Sequence, residues 1–492
     1  MKYISTRGTG KAVSSAEAIR TGLAGDGGLY MPDSFPKTDA AFLKEIAGMD
    51  YADRAARIMH LFLSDSYSLE ELTEDCRGAY SENAFPGGPA PVRKVGNLNV
   101  LELWHGPTAA FKDMALQIMP RLFVRAIRKT GDKRRALILV ATSGDTGKAA
   151  LEGYRDVDGV EIVVYYPVNG VSGIQKLQMA TQTGSNVRVR SVRGNFDDAQ
   201  TGVKKIFSDP SVAEELDKRG YFLSSANSIN WGRLVPQVCY YFSAYCDLMN
   251  DGTVKPGETL DVTVPTGNFG NILAAYIAKK SGLPLGRLIC ASNSNRVLTD
   301  FFETGKYDKN REFILTSSPS MDILVSSNLE RLLFTAAGPK KTALLMSQLN
   351  ANGNYVINKK VHETICRDFN GDCREEQKVF ETIKCVFDNH GYLIDTHTAV
   401  AYGCAEKYAA KTSMPMLVVS TASPFKFSPA VLSALGEGFG SEEESAARLS
   451  EKTGVEIPYP LRGLTERKVI FPPEDSIDPA EMTDDVLSNL RN

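Results

Sequence analysis

From about residue 113 to residue 200, short strand-like runs, the first of them apolar, alternate with amphipathic stretches. Each run has the length of a buried strand, whereas each stretch repeats its apolar positions with helical spacing. The predicted strands cover residues 136–141, 160–166 and 187–192. Helices are predicted over 113–129, with a kink at Pro120, and over 172–183, with Ser172 as N-cap. A turn at 143–147 leads into a predicted helix that reaches about Asp156, and another helix is predicted to start near Asp197. This alternation predicts a parallel sheet.

A second region of the same kind follows later in the chain. The apolar run 261–264 leads through a turn at 266–271 into an apolar helix that ends near Gly282, and the chain returns as the run 288–291. The run 416–420 comes after a helical stretch over 397–411 and has the character of a further strand of this sheet. Two α/β lobes are therefore predicted.

The first hundred residues are more mixed, with glycine clusters and helical patterns between residues 39 and 62. We predict an N-terminal domain at 1–96, a smaller α/β lobe at 97–245 and a larger α/β lobe at 246–492, with mainly parallel sheets in both lobes. The acidic stretch 436–444 and the tail after Gly463 are predicted to be loops and connectors.

Composition excludes several classes of partner. The chain has 492 residues, 43% of them hydrophobic, and a formal net charge of −3 without a block of consecutive basic residues, so no nucleic-acid partner is expected. No apolar run approaches the ~18 residues that span a bilayer, so no membrane partner is expected.

The 8 cysteines contain no C-x-x-C pair, which favours a cytoplasmic protein. We expect no metal site, because the spacing of His362, Cys366 and Cys373 matches no standard zinc site.

The turn Thr266-Gly267-Asn268-Phe269-Gly270-Asn271 lies between a predicted strand and a predicted helix. Glycines there let the backbone approach a ligand, and free amides at a helix start attract an anion. The turn lacks the lysine of a P-loop and the third glycine of a dinucleotide fingerprint, so it indicates a monophosphate site rather than a nucleotide site. A tight turn that only closes a βα unit is the alternative.

The segment Ser143-Gly144-Asp145-Thr146-Gly147 offers a second anion site at a βα junction. Asp145 adds a negative charge that a phosphate would resist, so a substrate carboxylate suits this loop better. The alternative is that Asp145 and Thr146 are ordinary turn and cap residues.

Lys112 follows two alanines and a phenylalanine immediately before a predicted helix. Apolar surroundings favour the neutral amine, which can attack a carbonyl group. The alternative is a solvated lysine without a chemical role. His105, nearby, is more typical of a structural residue than of a base.

Together these segments resemble the threonine synthase family, within the tryptophan-synthase-like fold type II group of pyridoxal-phosphate enzymes. The likeness runs from the first residues to the C-terminal third. Its most specific pieces are the segments 105–113, 143–147, 225–233, 267–271, 319–323, 326–331 and 420–422.

The resemblance implies roles for particular residues. Lys112 would hold pyridoxal 5'-phosphate as a Schiff base and act as the catalytic residue. The cofactor would be held, chiefly through its phosphate, by Gly267, Asn268, Phe269, Gly270 and Asn271, with Thr421 beside the pyridine nitrogen. The substrate would be bound by Ser143, Gly144, Asp145 and Thr146 at its carboxylate, and by Asn227, Ser228, Asn230 and Arg233 at its phosphate.

The activity implied is the conversion of O-phospho-L-homoserine and water to L-threonine and phosphate, the last step of threonine biosynthesis, by a monomer or homodimer. Many relatives have histidine where this chain has Ser423, so a role of that histidine cannot be carried over. A threonine or serine dehydratase of the same fold is the nearest alternative. A catalytically silent relative that binds a phosphorylated metabolite is the alternative from another class.

Overall fold

Two mainly parallel sheets form the centres of two lobes in a computed structural model that describes residues 1–438 and 440–490. The N-terminal region packs helices beside a two-stranded antiparallel sheet of β1 and β2. Its elements are β1 (Tyr3–Ser5), α1 (Ser15–Thr21), β2 (Tyr30–Pro32), α2 (Ala40–Ala47), α3 (Tyr51–Leu63) and α4 (Leu69–Ala79). Ser68 and Glu71 form a capping box that fixes the start of α4.

A hairpin and the smaller lobe come next in the chain. The elements are β3 (Val92–Val95), β4 (Leu98–Glu102), α5 (Asp113–Leu116), α6 (Met119–Lys129), β5 (Arg135–Ala141), α7 (Asp145–Tyr154), β6 (Val160–Pro167), α8 (Gly173–Ala180), β7 (Val187–Val192), α9 (Phe196–Ser208), α10 (Pro210–Lys218), β8 (Tyr221–Ser224) and α11 (Trp231–Asn250). The sheet of this lobe has the strand order β7-β6-β5-β8, and its pairs are parallel. Every residue of β6 is buried, which explains why its residues are apolar or aromatic apart from Glu161.

The larger lobe completes the chain. Its helices and strands are β9 (Leu260–Pro265), α12 (Gly270–Lys280), β10 (Leu285–Ser292), α13 (Val297–Thr304), β11 (Lys306–Asp308), α14 (Leu329–Ala337), α15 (Pro339–Asn352), β12 (Asn354–Val356), α16 (Lys359–Cys366), β13 (Phe369–Cys373), α17 (Glu376–His390), α18 (Thr396–Ala409), β14 (Met416–Ser420), α19 (Ser428–Ala434), α20 (Glu442–Thr453) and α21 (Met482–Ser488). Single 3-10 turns lie at Pro319–Met321, Pro424–Phe427, Tyr459–Leu461, Leu464–Glu466 and Pro479–Glu481.

The sheet of the larger lobe has the strand order β13-β10-β9-β14-β4-β3. Its pairs are parallel except for β3 with β4, so the predicted α/β class with mainly parallel sheets is confirmed. Gly96, the predicted end of the N-terminal domain, lies in the turn between β3 and β4. This hairpin therefore carries the early chain into the larger sheet, and the smaller lobe begins after it.

Two details differ from the prediction. The helix expected over 113–129 is two helices, α5 and α6, and Pro120 lies in the first turn of α6, where a missing N–H leaves no bond unmade. The stretch 436–444 is not wholly a loop, because Ser441 caps α20 through the backbone N–H of Glu444. Phe439 of that stretch lies outside the described residues.

Helix α11 connects the two lobes and packs against α2, α3 and α12. Nearly all of its residues are buried, although Pro236 removes one backbone donor from its interior. Among residues 1–438 and 440–490, no helix combines the length and the hydropathy that a bilayer span needs.

Candidate active site

Three neighbouring strands of the larger sheet, β9, β14 and β4, are parallel and end at the same edge. The glycine turn follows β9, Thr421 follows β14, and the chain that leaves β4 leads to Lys112. The carboxyl ends of parallel strands are where α/β proteins bind ligands. The fold thus brings three sets of predicted cofactor residues to one place.

Lys112 is the residue just before α5, and its side chain is 11% exposed. The backbone N–H of Phe111 donates to the carbonyl of Thr421 across 2.8 Å, which joins the lysine segment to the end of β14. Ala109 adopts a left-handed conformation with φ of +56° and is fully buried together with Ala110. Burial lowers the pKa of Lys112, against the opposing effect of Asp145. A neutral amine is thereby favoured.

Asp113 stabilises the turn before Lys112 through hydrogen bonds to Thr108. Its carboxylate accepts from the backbone N–H of Thr108 at 2.8 Å and from the Thr108 hydroxyl at 2.7 Å. Burial raises the pKa of Asp113 to about 6 in spite of these bonds. The Asp113 side chain therefore stabilises the conformation of the segment 108–113.

Asp145 lies in the first turn of α7 and is buried. Oδ1 accepts from Nζ of Lys426 at 2.6 Å and from Nε2 of Gln175 at 2.8 Å. Oδ2 lies 3.4 Å from Nζ of Lys112 and 3.5 Å from Oγ of Ser320. Burial alone would raise the pKa of Asp145, but Lys426 and Lys112 hold that pKa well below its usual range.

Thr142 shapes the loop that carries Asp145. Its hydroxyl accepts from the backbone N–H groups of Gly144 and Gly147, both at 2.9 Å. Gly144 has φ of +136°, a conformation that favours glycine. Ser143 and Thr146 keep part of their surface exposed, whereas Asp145 does not. The two hydroxyls are therefore the side chains of this loop that a ligand can reach.

The glycine turn is closely packed on the chain that follows it. A Cβ at Gly267 would lie 2.4 Å from the backbone oxygen of Ser320, so only glycine fits. Phe269 is left-handed with φ of +63° and caps α12 without a side-chain bond. In the described part of the chain, no hydrogen bond is made by the backbone N–H groups of Asn268 to Asn271.

Asn271 points its amide group into the interior. Oδ1 accepts from the hydroxyls of Tyr240 and Tyr241, at 2.5 and 2.6 Å. Its Nδ2 is buried and has no partner within residues 1–438 and 440–490. A buried unpaired donor is costly unless a ligand satisfies it, so this nitrogen marks a place for an acceptor.

The predicted substrate-phosphate residues divide into two groups. Ser228 lies beside the glycine turn, since its Cβ is 3.4 Å from where a Cβ of Gly270 would be, and its hydroxyl accepts from Asn328 Nδ2 at 2.9 Å. Asn227 is partly exposed in the same segment. Asn230 differs, because Oδ1 caps Gly232 and Nδ2 donates to the carbonyl of Ile19. Its side chain serves the fold.

Arg233 is buried, and Nη1 donates to the carbonyl of Ala226 at 2.7 Å. Its Nε is buried without a partner in the described ranges. Burial lowers the pKa of Arg233 to about 10. Its charge also helps to lower the pKa of Lys112.

Several contacts of the site join segments that are far apart in the sequence, and no local pattern pairs the residues that make them. Lys426 and Gln175 reach Asp145 from distant segments, and Ser320 touches both Gly267 and Asp145. Arg331 is fully buried, with its guanidinium bonded to backbone carbonyls of Tyr30 and Ile229 and to Asn328. Asn328 in turn donates to the carbonyl of Asn268 at 3.0 Å. Only the folded chain reveals these contacts.

The site fits pyridoxal phosphate on its own donor set. Free backbone amides at the start of α12 and the unpaired amide of Asn271 suit a phosphate. Lys112 supplies a buried amine whose lowered pKa suits an aldehyde, and Thr421 supplies an uncharged side chain at the end of the adjacent strand.

Comparisons with known proteins give three family matches. Residues 2–80 match the family Threonine synthase N terminus, residues 86–340 match Pyridoxal-phosphate dependent enzyme, and residues 398–468 match Threonine synthase, C-terminal. Threonine synthase from Pseudomonas aeruginosa is 38% identical over 92% of this chain and 93% of its own length. Threonine synthase-like 1 from Homo sapiens is 42% identical over 85% of this chain, which spans only 58% of that relative's length.

Solved structures give the same result for the fold. The PLP-bound threonine synthase from Brucella melitensis is similar with a TM-score of 0.88 and 36% identity, and the match covers 100% of both chains. The yeast threonine synthase is similar with a TM-score of 0.88 and 34% identity over 99% of this chain and 98% of the yeast chain.

Proposed function

Because the chain belongs to the threonine synthase family of pyridoxal-phosphate-dependent enzymes, we propose that it converts O-phospho-L-homoserine and water into L-threonine and phosphate. The reaction is a γ-elimination followed by a β-addition. One observation carries this proposal. The buried amine of Lys112 lies beside the aspartate of a loop that suits a carboxylate and at the sheet edge where a second loop suits a phosphate.

The cofactor would be held by groups at the three strand ends. Nζ of Lys112 would hold it covalently, and the segment Gly267 to Asn271 would bind its phosphate. Thr421 would face the pyridine nitrogen, where a hydroxyl rather than a carboxylate would leave the ring nitrogen uncharged. When bound, pyridoxal phosphate supplies a sink for the electrons of the broken Cα–H bond.

Lys112 is also the proposed acid and base. With the substrate bound, the amine of Lys112 would take the proton from Cα. It then helps to move protons at Cβ and Cγ, so that phosphate leaves from Cγ before water adds at Cβ. Burial supports this role, because a lowered pKa keeps more of the amine in the basic form at neutral pH.

The substrate would be gripped at both ends. Its carboxylate would meet the hydroxyls and amides of Ser143, Gly144 and Thr146, with the charge of Asp145 balanced by Lys426. Its phosphate would meet Asn227, Ser228 and Arg233, and Asn230 would hold that segment in place.

We further propose a cytoplasmic enzyme that acts as a monomer or homodimer on this small molecule. Support comes from the cysteines, which all lie among the described residues as free thiols, as is typical of a reducing compartment.

A spectrum and two product assays test the proposal. The purified protein should show the visible absorption of bound cofactor and should release phosphate from phosphohomoserine without releasing ammonia from threonine. Lys112→Ala should abolish the absorption and the turnover. Ammonia release from threonine as the main activity would instead indicate a dehydratase, and retained turnover in Lys112→Ala would refute the role of the lysine.

A further inference from the structure

The two oxygens of the Asp145 carboxylate have different partners. Oδ1 accepts two short bonds, from Lys426 at 2.6 Å and Gln175 at 2.8 Å. Among the residues that the structure describes, Oδ2 has only long contacts, to Lys112 at 3.4 Å and to Ser320 Oγ at 3.5 Å. The carboxylate is thus turned toward Lys426, and the contact with Lys112 is the weaker of its two ionic contacts.

Lys426 is fixed in this place by the fold. It lies in the turn Pro424–Phe427, immediately after the end of β14, and its side chain is 0% exposed. Nζ also donates to the carbonyl of Thr108 at 3.0 Å. An ammonium group without access to water requires such partners, so Lys426 cannot leave Asp145 without a large penalty.

One buried carboxylate therefore faces two amines. The charged groups that act on Lys112 are Asp145, which favours the ammonium form, and Arg233 and Lys426, which disfavour it. Without Lys426, Asp145 would be free to form a closer ion pair with Lys112. A closed buried ion pair would keep the Lys112 amine protonated and unreactive.

We propose that Lys426 is a positioning residue for Lys112: by neutralising Asp145 from the far side, it leaves the Lys112 amine available to react with the cofactor aldehyde. In that reaction Nζ of neutral Lys112 attacks the aldehyde carbon. A carbon–nitrogen double bond forms, the two amine protons leave with the aldehyde oxygen as water, and no other reactant is needed.

The inference rests on the proposed function in one respect, that Lys112 is the cofactor lysine. Its test is the rate at which cofactor-free protein gains the visible absorption on mixing with pyridoxal phosphate, measured from pH 6 to pH 10. Lys426→Met should raise the pH midpoint of this rate by about one unit. At a fixed pH below the midpoint, the rate should therefore fall about tenfold. Lys426→Gln, which keeps a hydrogen-bond donor but no charge, should show the same shift.

A second substitution separates this effect from general damage. Adding Asp145→Asn to Lys426→Met removes the carboxylate that would trap Lys112, so the midpoint should return toward that of the unmodified protein. The matched control is Lys148→Met. Lys148 is buried like Lys426, but it lies on α7 and pairs with Glu152 at 3.1 Å. Its midpoint should not move.

Unchanged midpoints in Lys426→Met and Lys426→Gln would overturn the inference. If circular dichroism shows that Lys426→Met does not fold, Lys426→Gln alone decides. Failure of the proposed function gives a different result. If Lys112 is not the cofactor lysine, Lys112→Ala will still gain the visible absorption on mixing with pyridoxal phosphate.

Discussion

The backbone N–H of Ser320 donates to Nε2 of His397 across 3.2 Å. The other ring nitrogen, Nδ1, lies 2.8 Å from Oδ2 of Asp395. Since an amide N–H can only donate, Nε2 must accept, and Nδ1 carries the proton that is donated to the carboxylate. This buried histidine is therefore held as one neutral tautomer that ties α18 to the turn at Ser320.

His397→Ala should weaken cofactor binding although His397 does not belong to the glycine turn. The turn at Ser320 packs directly on Gly267, so a loose turn leaves the phosphate-binding segment less ordered. The loss of one buried hydrogen bond is worth about 1–2 kcal/mol, or roughly tenfold in the Kd for pyridoxal phosphate. His397→Gln should lose less, because its amide oxygen can accept from Ser320. Equal Kd values for His397→Ala and the control His60→Ala would contradict this reasoning.

Gly267→Ala should abolish cofactor binding with little effect on the fold. The added methyl would lie 2.4 Å from a backbone oxygen, so one of the two segments must shift. The comparison is Gly48→Ala, where the same methyl meets nothing within 4 Å. Titration with pyridoxal phosphate and thermal unfolding separate the two effects. Normal cofactor affinity in Gly267→Ala would show that the glycine turn does not bind the cofactor phosphate.

Arg233→Met should raise KM for phosphohomoserine more than it lowers kcat. A charge-assisted bond to phosphate contributes about 1.5–3 kcal/mol, which corresponds to roughly 10- to 100-fold in KM if binding is uniform. Inhibition by inorganic phosphate should weaken in parallel. The exposed Arg193, which pairs with Asp478 on the surface, gives the control Arg193→Ala. An unchanged KM would remove Arg233 from the phosphate site.

Asp113 should make the fold less stable as pH rises from about 4 to 7. Its pKa is about 6 in the folded state and 3.8 as a free side chain, so the folded protein holds the proton more tightly. That stabilisation is complete below pH 3.8 and is lost as pH rises through 6, by about 3 kcal/mol for two pKa units. Denaturant titrations of Asp113→Asn and the unmodified protein should therefore diverge with pH. Parallel stability curves would refute the shifted pKa.

The sequence predicted the parts of the fold that depend on local patterns. The strands at 187–192 and 416–420 were predicted with the bounds that the structure gives, because the first alternates valines with polar residues and the second is a short apolar run. The break between α5 and α6 was misplaced at Pro120, since a proline suits the first turn of a helix as well as a kink.

The sequence predicted those parts of the candidate site whose residues lie close together in one segment of the chain. Lys112 and the glycine turn carry recognisable local patterns, and their assignment to the cofactor stays a prediction. Lys426, 281 positions after Asp145, could not be paired with it from one sequence, because nothing local specifies that contact. Asn230 was predicted to bind substrate, yet its amide is occupied by the backbone of α1 and α11.

The groups proposed to grip the cofactor follow the strands β9, β14 and β4 of a single sheet, whereas Asp145 belongs to a helix of the other lobe. A hinge motion between the lobes would thus leave the anchored ring at rest and carry the carboxylate-binding loop toward or away from it. Since Lys426 follows β14, its buried ion pair with Asp145 joins the two lobes, and such a motion would have to stretch this bond.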